Sequence, residues 1–187
     1  ENFRCIFQDP HKRIHGNRFF RHRRFAFDPH GFRTADKCRK IVIETMMALP
    51  ETTAALEAAR ELCDLPVLCS FSVSSDGMLY FGGSVYDAAQ TLEALGADAD
   101  GINCSAGPDQ LENVVRLLHE STSLPIIAKP NAGMPVIDDL GNAIYPMQPE
   151  EFGRSMIKLL DAGASIVGGC CGTDPEFIRK VREAVKF

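Results

Sequence analysis

From Ile41 onward, short apolar runs alternate with segments in which apolar residues recur every three or four positions. The runs are Ile41 to Glu44, Pro66 to Val73, Asp100 to Cys104, Pro125 to Lys129 and Ser165 to Gly168. They are rich in β-branched residues and lack apolar–polar alternation, which predicts strands buried on both faces of a parallel sheet. Helices are predicted between them. Pro50 suits a first helical position, with Leu56, Ala59 and Cys63 on one face. Ser84 is placed to cap a helix carrying Ala88, Leu92 and Leu95, closed by Gly96 in the left-handed region. Pro108 opens a helix with Leu111, Val114, Val115 and Leu118 at i, i+3, i+4 and i+7. Pro149 opens another that ends at Gly163, and Thr173 to Glu176 has capping-box spacing for the last. No antiparallel hairpin signal interrupts the series.

Five consecutive βα units are compatible with an open doubly wound sheet or with a (β/α)8 barrel. The polar residues favour the barrel. Glu44-Thr45, Asn103-Cys104, Lys129-Pro-Asn131 and Cys170-Cys171 follow four of the five strands, while the second strand runs into the polar loop Ser74 to Gly83. A barrel brings such strand ends to a single mouth, whereas an open sheet keeps flanking ends apart. A (β/α)8 TIM barrel typically takes about 250 residues. The 187 residues of this chain therefore predict an apparently incomplete α/β barrel, holding about the last five βα units.

Charge divides the chain in two. The net charge of −5 conceals a first segment, residues 1–40, with eleven Lys and Arg against four Asp and Glu, and a remainder with nine against twenty-one. Four of the five histidines and seven of the twelve phenylalanines also lie in the first forty residues. That segment has no strand-length apolar run and no helical stripe, so it is expected to be an atypical basic stretch outside the native fold, such as a shifted reading frame. Residues 41–187 are expected to form the C-terminal part of a barrel. Arg18-Phe-Phe-Arg-His-Arg-Arg24 offers cations to phosphate and rings to bases, but the composition break makes the bland reading preferable, and no nucleic-acid partner is expected. No apolar run is long enough to span a bilayer and no export signal is recognisable. A cytoplasmic setting is expected, in which the seven cysteines serve as free thiols or metal ligands.

The cysteines at strand ends carry the chemistry. Val167-Gly-Gly-Cys-Cys-Gly-Thr173 and Gly101-Ile-Asn-Cys-Ser105 place Cys104, Cys170 and Cys171 where a barrel mouth would gather them. Catalytic zinc commonly takes three protein ligands and leaves a position for substrate. Free cysteine also serves as a small core residue, but three of them at strand C-termini beside Gly or Asn are read as a Zn²⁺ site. Cys63 and Cys69, on a helix face and within a strand, are assigned to the core.

Glu44-Thr45, Gly101-Ile-Asn-Cys104, Pro130-Asn-Ala-Gly133 and Gly168-Gly-Cys-Cys-Gly-Thr173 resemble, in order and spacing, the homocysteine S-methyltransferase family. Within it they are most similar to the homocysteine-binding barrel of the cobalamin-dependent methionine synthases. The resemblance implies that Cys104, Cys170 and Cys171 hold Zn²⁺, that homocysteine sulfur joins them as a thiolate, and that methyl transfer yields methionine. It implies a methylcorrinoid such as methylcobalamin as donor, on another domain or protein. Glu44 is implied to hold the homocysteine ammonium. Asn103 is expected to hold either a substrate polar group or the loop itself, and Asn131 to shape its turn. Lys129, Asp138 and Asp139 are read as solvated mouth residues. The family's early Asp-Gly-containing strand has no recognisable counterpart, so an inactive zinc-binding barrel fragment is the alternative expectation.

Overall fold

Each of the five apolar runs forms a strand in the computed structural model, which describes residues 39–185. They are β1 (Ile41–Met46), β2 (Val67–Phe71), β3 (Asp100–Asn103), β4 (Ile126–Lys129) and β7 (Ala164–Val167). All neighbours pair in parallel, in the order β1-β2-β3-β4-β7. The helices α1 (Leu49–Leu62), α2 (Val85–Ala94), α3 (Glu112–Ser121), α4 (Pro149–Asp161) and α5 (Pro175–Val185) follow these strands in turn. None of them is long and apolar enough to cross a membrane.

The helical stripes pack as the periodicity requires. Leu56 and Ala59 of α1, Ala88 and Leu92 of α2, Val114, Val115 and Leu118 of α3, and Phe152, Met156 and Leu159 of α4 are buried in one core with the central strands. Phe152 meets Phe177 of α5 edge-on, with ring centroids 5.4 Å apart. Close approach of β3 to β4 is made possible by Gly101, since a Cβ there would lie 2.0 Å from the Ile127 carbonyl oxygen.

Several local expectations are corrected. Pro108 does not open α3. Residues 107–110 form a turn closed by the Gln110 amide on the Gly107 carbonyl (3.1 Å), and the helix starts at Glu112. The last helix is capped by Asp174, whose Oδ1 accepts from the Glu176 and Phe177 amides. Thr173, the expected cap, donates instead to the Cys170 carbonyl. A hairpin absent from the sequence reading joins β5 (Val136–Ile137) to β6 (Ala143–Ile144). Its turn is organised by Asp138, which accepts from the Leu140 and Asn142 amides. Hydrogen bonds from Asn142 hold the Asp138 carboxyl below its usual range. The strands β1 and β7 are less buried than the central three, because each lacks a neighbour on one side among the described residues.

Asp100, the first residue of β3, is fully buried. Its Oδ1 accepts from the Gly101 amide, and its Oδ2 has no hydrogen-bond partner. Burial pushes its pKa up to about 8. Burial, reinforced by the Asp100 charge, also drives the Cys69 thiol up to about 12, consistent with Cys69 as a core residue. Because the folded chain keeps a proton on Asp100 that the unfolded chain sheds near pH 4, the stability this group contributes is fully present below about pH 4 and lost as pH rises to about 8. Asp100→Asn removes that titration. Its melting temperature is expected to rise relative to the parent between pH 5 and pH 8, by about 2–4 °C for each kcal/mol recovered. Thermal scans of both proteins across this range check it, and a pH-independent difference would contradict it.

Candidate metal centre

The carboxyl ends of β3, β4 and β7 supply the candidate metal centre. Cys104 follows β3 with φ of 53°, in the left-handed region that non-glycine residues rarely adopt. Thr45, at the end of β1, has φ of 60°. Such conformations persist where surrounding bonds over-determine them, and both residues are held this way. The Cys104 amide donates to the Lys129 carbonyl (3.2 Å), and the Cys104 carbonyl accepts from the Ser72 hydroxyl (3.0 Å). Thr45 is gripped through its amide and its hydroxyl by Asn103.

The vicinal pair is clasped by the segment after β4. The Cys170 amide donates to the Pro130 carbonyl (2.8 Å), and the Cys171 amide donates to Asn131 Oδ1 (3.1 Å). The Cys171 carbonyl in turn accepts from the Ala132 amide (2.9 Å). Asn131 is buried and shapes this turn. Gly172 follows with φ of 77°, and the Tyr145 ring lies against it so closely that a Cβ would come within 2.3 Å of Tyr145 Cγ. Burial, and then a hydrogen bond to Cys171, raise the Tyr145 pKa.

These constraints bring the three sulfurs within 4.8 Å of one another, the one such metal-capable group among the described residues. Cys104 Sγ and Cys171 Sγ are 3.2 Å apart, and all three residues are free thiols of intermediate burial. Tetrahedral Zn²⁺ with Zn–S near 2.3 Å separates its sulfurs by about 3.8 Å, a value inside the 4.8 Å span of this cluster, and the Cys104–Cys171 pair would open by about 0.6 Å to hold the ion. Hydrogen bonds from the Cys104 thiol and the Asn103 amide bring the Cys170 pKa down to about 6. The same bond to Cys170, with burial, raises that of Cys104. The cluster thus favours an anionic sulfur, the form that binds a metal.

Asn103 is buried, and its side chain is fully occupied. Oδ1 accepts from the Thr45 amide (2.9 Å) and the Ser70 hydroxyl (2.8 Å), while Nδ2 donates to Thr45 Oγ1 (2.7 Å) and contacts Cys170 Sγ at 3.8 Å. Of the two expectations for Asn103, these bonds favour holding the loop. Glu44 and Lys129 form an ion pair in which both side chains are about four-fifths buried. The expectation that Lys129 is a solvated mouth residue is therefore corrected, because the curvature of the sheet carries its ammonium to Glu44 of β1. Asp76 accepts from Ser74 and the Met78 amide within a local turn. Sequence reasoning missed the parts played by Lys129, Ser70, Thr45 and Tyr145. Position at a strand's carboxyl end was a signal for Lys129 and Thr45; Tyr145 gave none.

A family model described as homocysteine S-methyltransferase matches residues 14–185. That match begins inside the basic segment, whose residues 1–38, the run Arg18 to Arg24 included, lie outside the described structure. The chain is 34% identical over 151 residues to the methionine synthase of Mycobacterium leprae, spanning 78% of this chain and 12% of that protein. It is 29% identical over 168 residues to homocysteine S-methyltransferase 2 of Saccharomyces cerevisiae, spanning 83% of this chain and 50% of that one. Among solved structures, the homocysteine methyltransferase MmuM from Escherichia coli in its metallated form superposes with a TM-score of 0.64 at 23% identity. The superposition covers 79% of this chain and 45% of that chain, and shows that the two share a fold. The chain therefore spans half or less of the length of these relatives.

Proposed function

The chain belongs to the homocysteine S-methyltransferase family, and from that premise we propose that it serves zinc-dependent methyl transfer to the thiol of homocysteine, giving methionine. The observation that carries this reading is the convergence of Cys104, Cys170 and Cys171, from two strand ends, within 4.8 Å. A free thiol with pKa near 8.5 is only about 3% thiolate at pH 7. Zn²⁺, when bound, supplies the positive charge that lets the substrate sulfur shed its proton at neutral pH. The residues of the chain do the rest. Three cysteine sulfurs hold the ion, and their combined negative charge keeps a neighbouring thiolate electron-rich. Asn103 fixes Cys170 and Thr45 relative to one another, and so serves as a positioning residue. Glu44, beside Thr45, is read as the carboxylate for the homocysteine ammonium.

The methyl donor on this reading is a methylcorrinoid carried by another domain or protein, in keeping with the match to a protein named methionine synthase. The five parallel strands are read as about the last five units of a (β/α)8 barrel. A second reading, zinc binding without turnover, is favoured by the unpaired edges of β1 and β7 among the described residues. The test is to supply the zinc-loaded chain with homocysteine and methylcobalamin and to quantify methionine. Zinc-dependent methionine formation, abolished by a chelator, is expected. Bound zinc with no methionine would establish the second reading.

A further inference from the structure

We propose that Lys129 holds the α-carboxylate of the substrate, so that Glu44 and Lys129 together form a clamp selecting a zwitterionic amino-acid thiol. This rests on the reading of the mouth as a homocysteine site. Glu44 lies in the second half of β1 and Lys129 ends β4, and two whole strands, β2 and β3, lie between them in the sheet. Their ion pair therefore crosses the concave face as a chord and does not run along the sheet. The stem of Lys129 reaches it by passing Gly168, where a Cβ would lie 3.3 Å from Lys129 Cγ. A side chain there would crowd the stem of Lys129.

Both charged residues are tied to the cysteine cluster through the backbone. The Lys129 carbonyl accepts from the Cys104 amide (3.2 Å), and Glu44 precedes Thr45, which Asn103 links to Cys170. A molecule with its sulfur at the cysteines thus has an acid and a base within the same mouth. With side chains only 19% and 23% exposed, neither charge is readily compensated by water, and separating them leaves a desolvated charge unpaired. An ammonium alone would take Glu44 and strand Lys129. A carboxylate alone would do the reverse. A zwitterion entering between them satisfies both, exchanging one internal ion pair for two with the ligand. The pair is therefore a specificity device as well as a support for the mouth.

The test compares three thiols binding to the full, zinc-loaded chain by calorimetry. Homocysteine carries both charges, 4-mercaptobutyrate lacks the ammonium and 3-aminopropanethiol lacks the carboxylate. Homocysteine is expected to bind about 10–100-fold more tightly than either. Lys129→Met should weaken homocysteine by about 10–100-fold and leave 3-aminopropanethiol unchanged or tighter, since Glu44 is then released. Lys129→Arg should restore most of the homocysteine affinity. Zinc content and circular dichroism, measured on each variant, separate these effects from misfolding. If Lys129→Met leaves homocysteine affinity intact, or weakens all three thiols equally, the clamp is overturned while the homocysteine reading stands. If the zinc-loaded parent chain binds none of the thiols, that reading falls and the clamp with it.

Discussion

Cys104→Ser is expected to lower zinc affinity by more than about 100-fold, exceeding the 10–100-fold usual for losing a group that merely supports a ligand. The same is expected of Cys170→Ser and Cys171→Ser. Each removes one of three thiolates whose sulfurs already lie within 4.8 Å, and a serine hydroxyl does not deprotonate to replace it at neutral pH. The substitution at 104 is the most telling, because that residue comes from β3 and the others follow β7. Its loss leaves a vicinal pair, which alone makes a poor tetrahedral site. Cys63→Ser, at the C-terminal cap of α1 with its thiol directed to the Ala59 carbonyl, is expected to bind zinc like the parent. Competition against a chromophoric chelator measures all four. Equal affinity for the parent and Cys104→Ser would place the metal elsewhere.

Asn103→Ala is expected to cost about 2–4 kcal/mol of folding stability and to weaken zinc binding about 10-fold or more. The side chain it removes ties the ends of β1, β2 and β3 to the cysteine turn through four contacts. Without it, the buried Ser70 hydroxyl and the Thr45 amide and hydroxyl lose partners, and unsatisfied buried groups are penalised more heavily than the bonds themselves are worth. Thr45 also loses what holds its left-handed backbone. Urea denaturation of the metal-free and zinc-loaded proteins gives both quantities. A loss of zinc affinity with stability intact would indicate that Asn103 acts on the metal alone, and a loss of stability with affinity intact would confine it to the fold.

Much of this arrangement was legible in the chain. The five strands announced themselves because buried parallel strands are continuous apolar runs, and their polar terminal residues marked the mouth. Cys104, Cys170 and Cys171 stood out because glycine and asparagine flank them at those ends. The Glu44–Lys129 pair was not legible. Its members are 85 residues apart, and their meeting depends on how sharply the intervening strands curve. The hairpin escaped notice because two-residue strands are too short to show a period. Thr173 and Asp174 both suit a helix cap, and the choice fell to Asp174 because the Thr173 hydroxyl is taken by the Cys170 carbonyl. Asp100 read as the start of a strand, while its burial and its unpartnered Oδ2 depend on packing that no local pattern displays.

Zinc K-edge X-ray absorption on the full chain, with and without homocysteine, tests the central claim most directly. The account predicts three protein sulfurs near 2.3 Å that become four when homocysteine is added, with the count restored to three on its removal. A shell dominated by nitrogen and oxygen, or a sulfur count that homocysteine leaves unchanged, would contradict it.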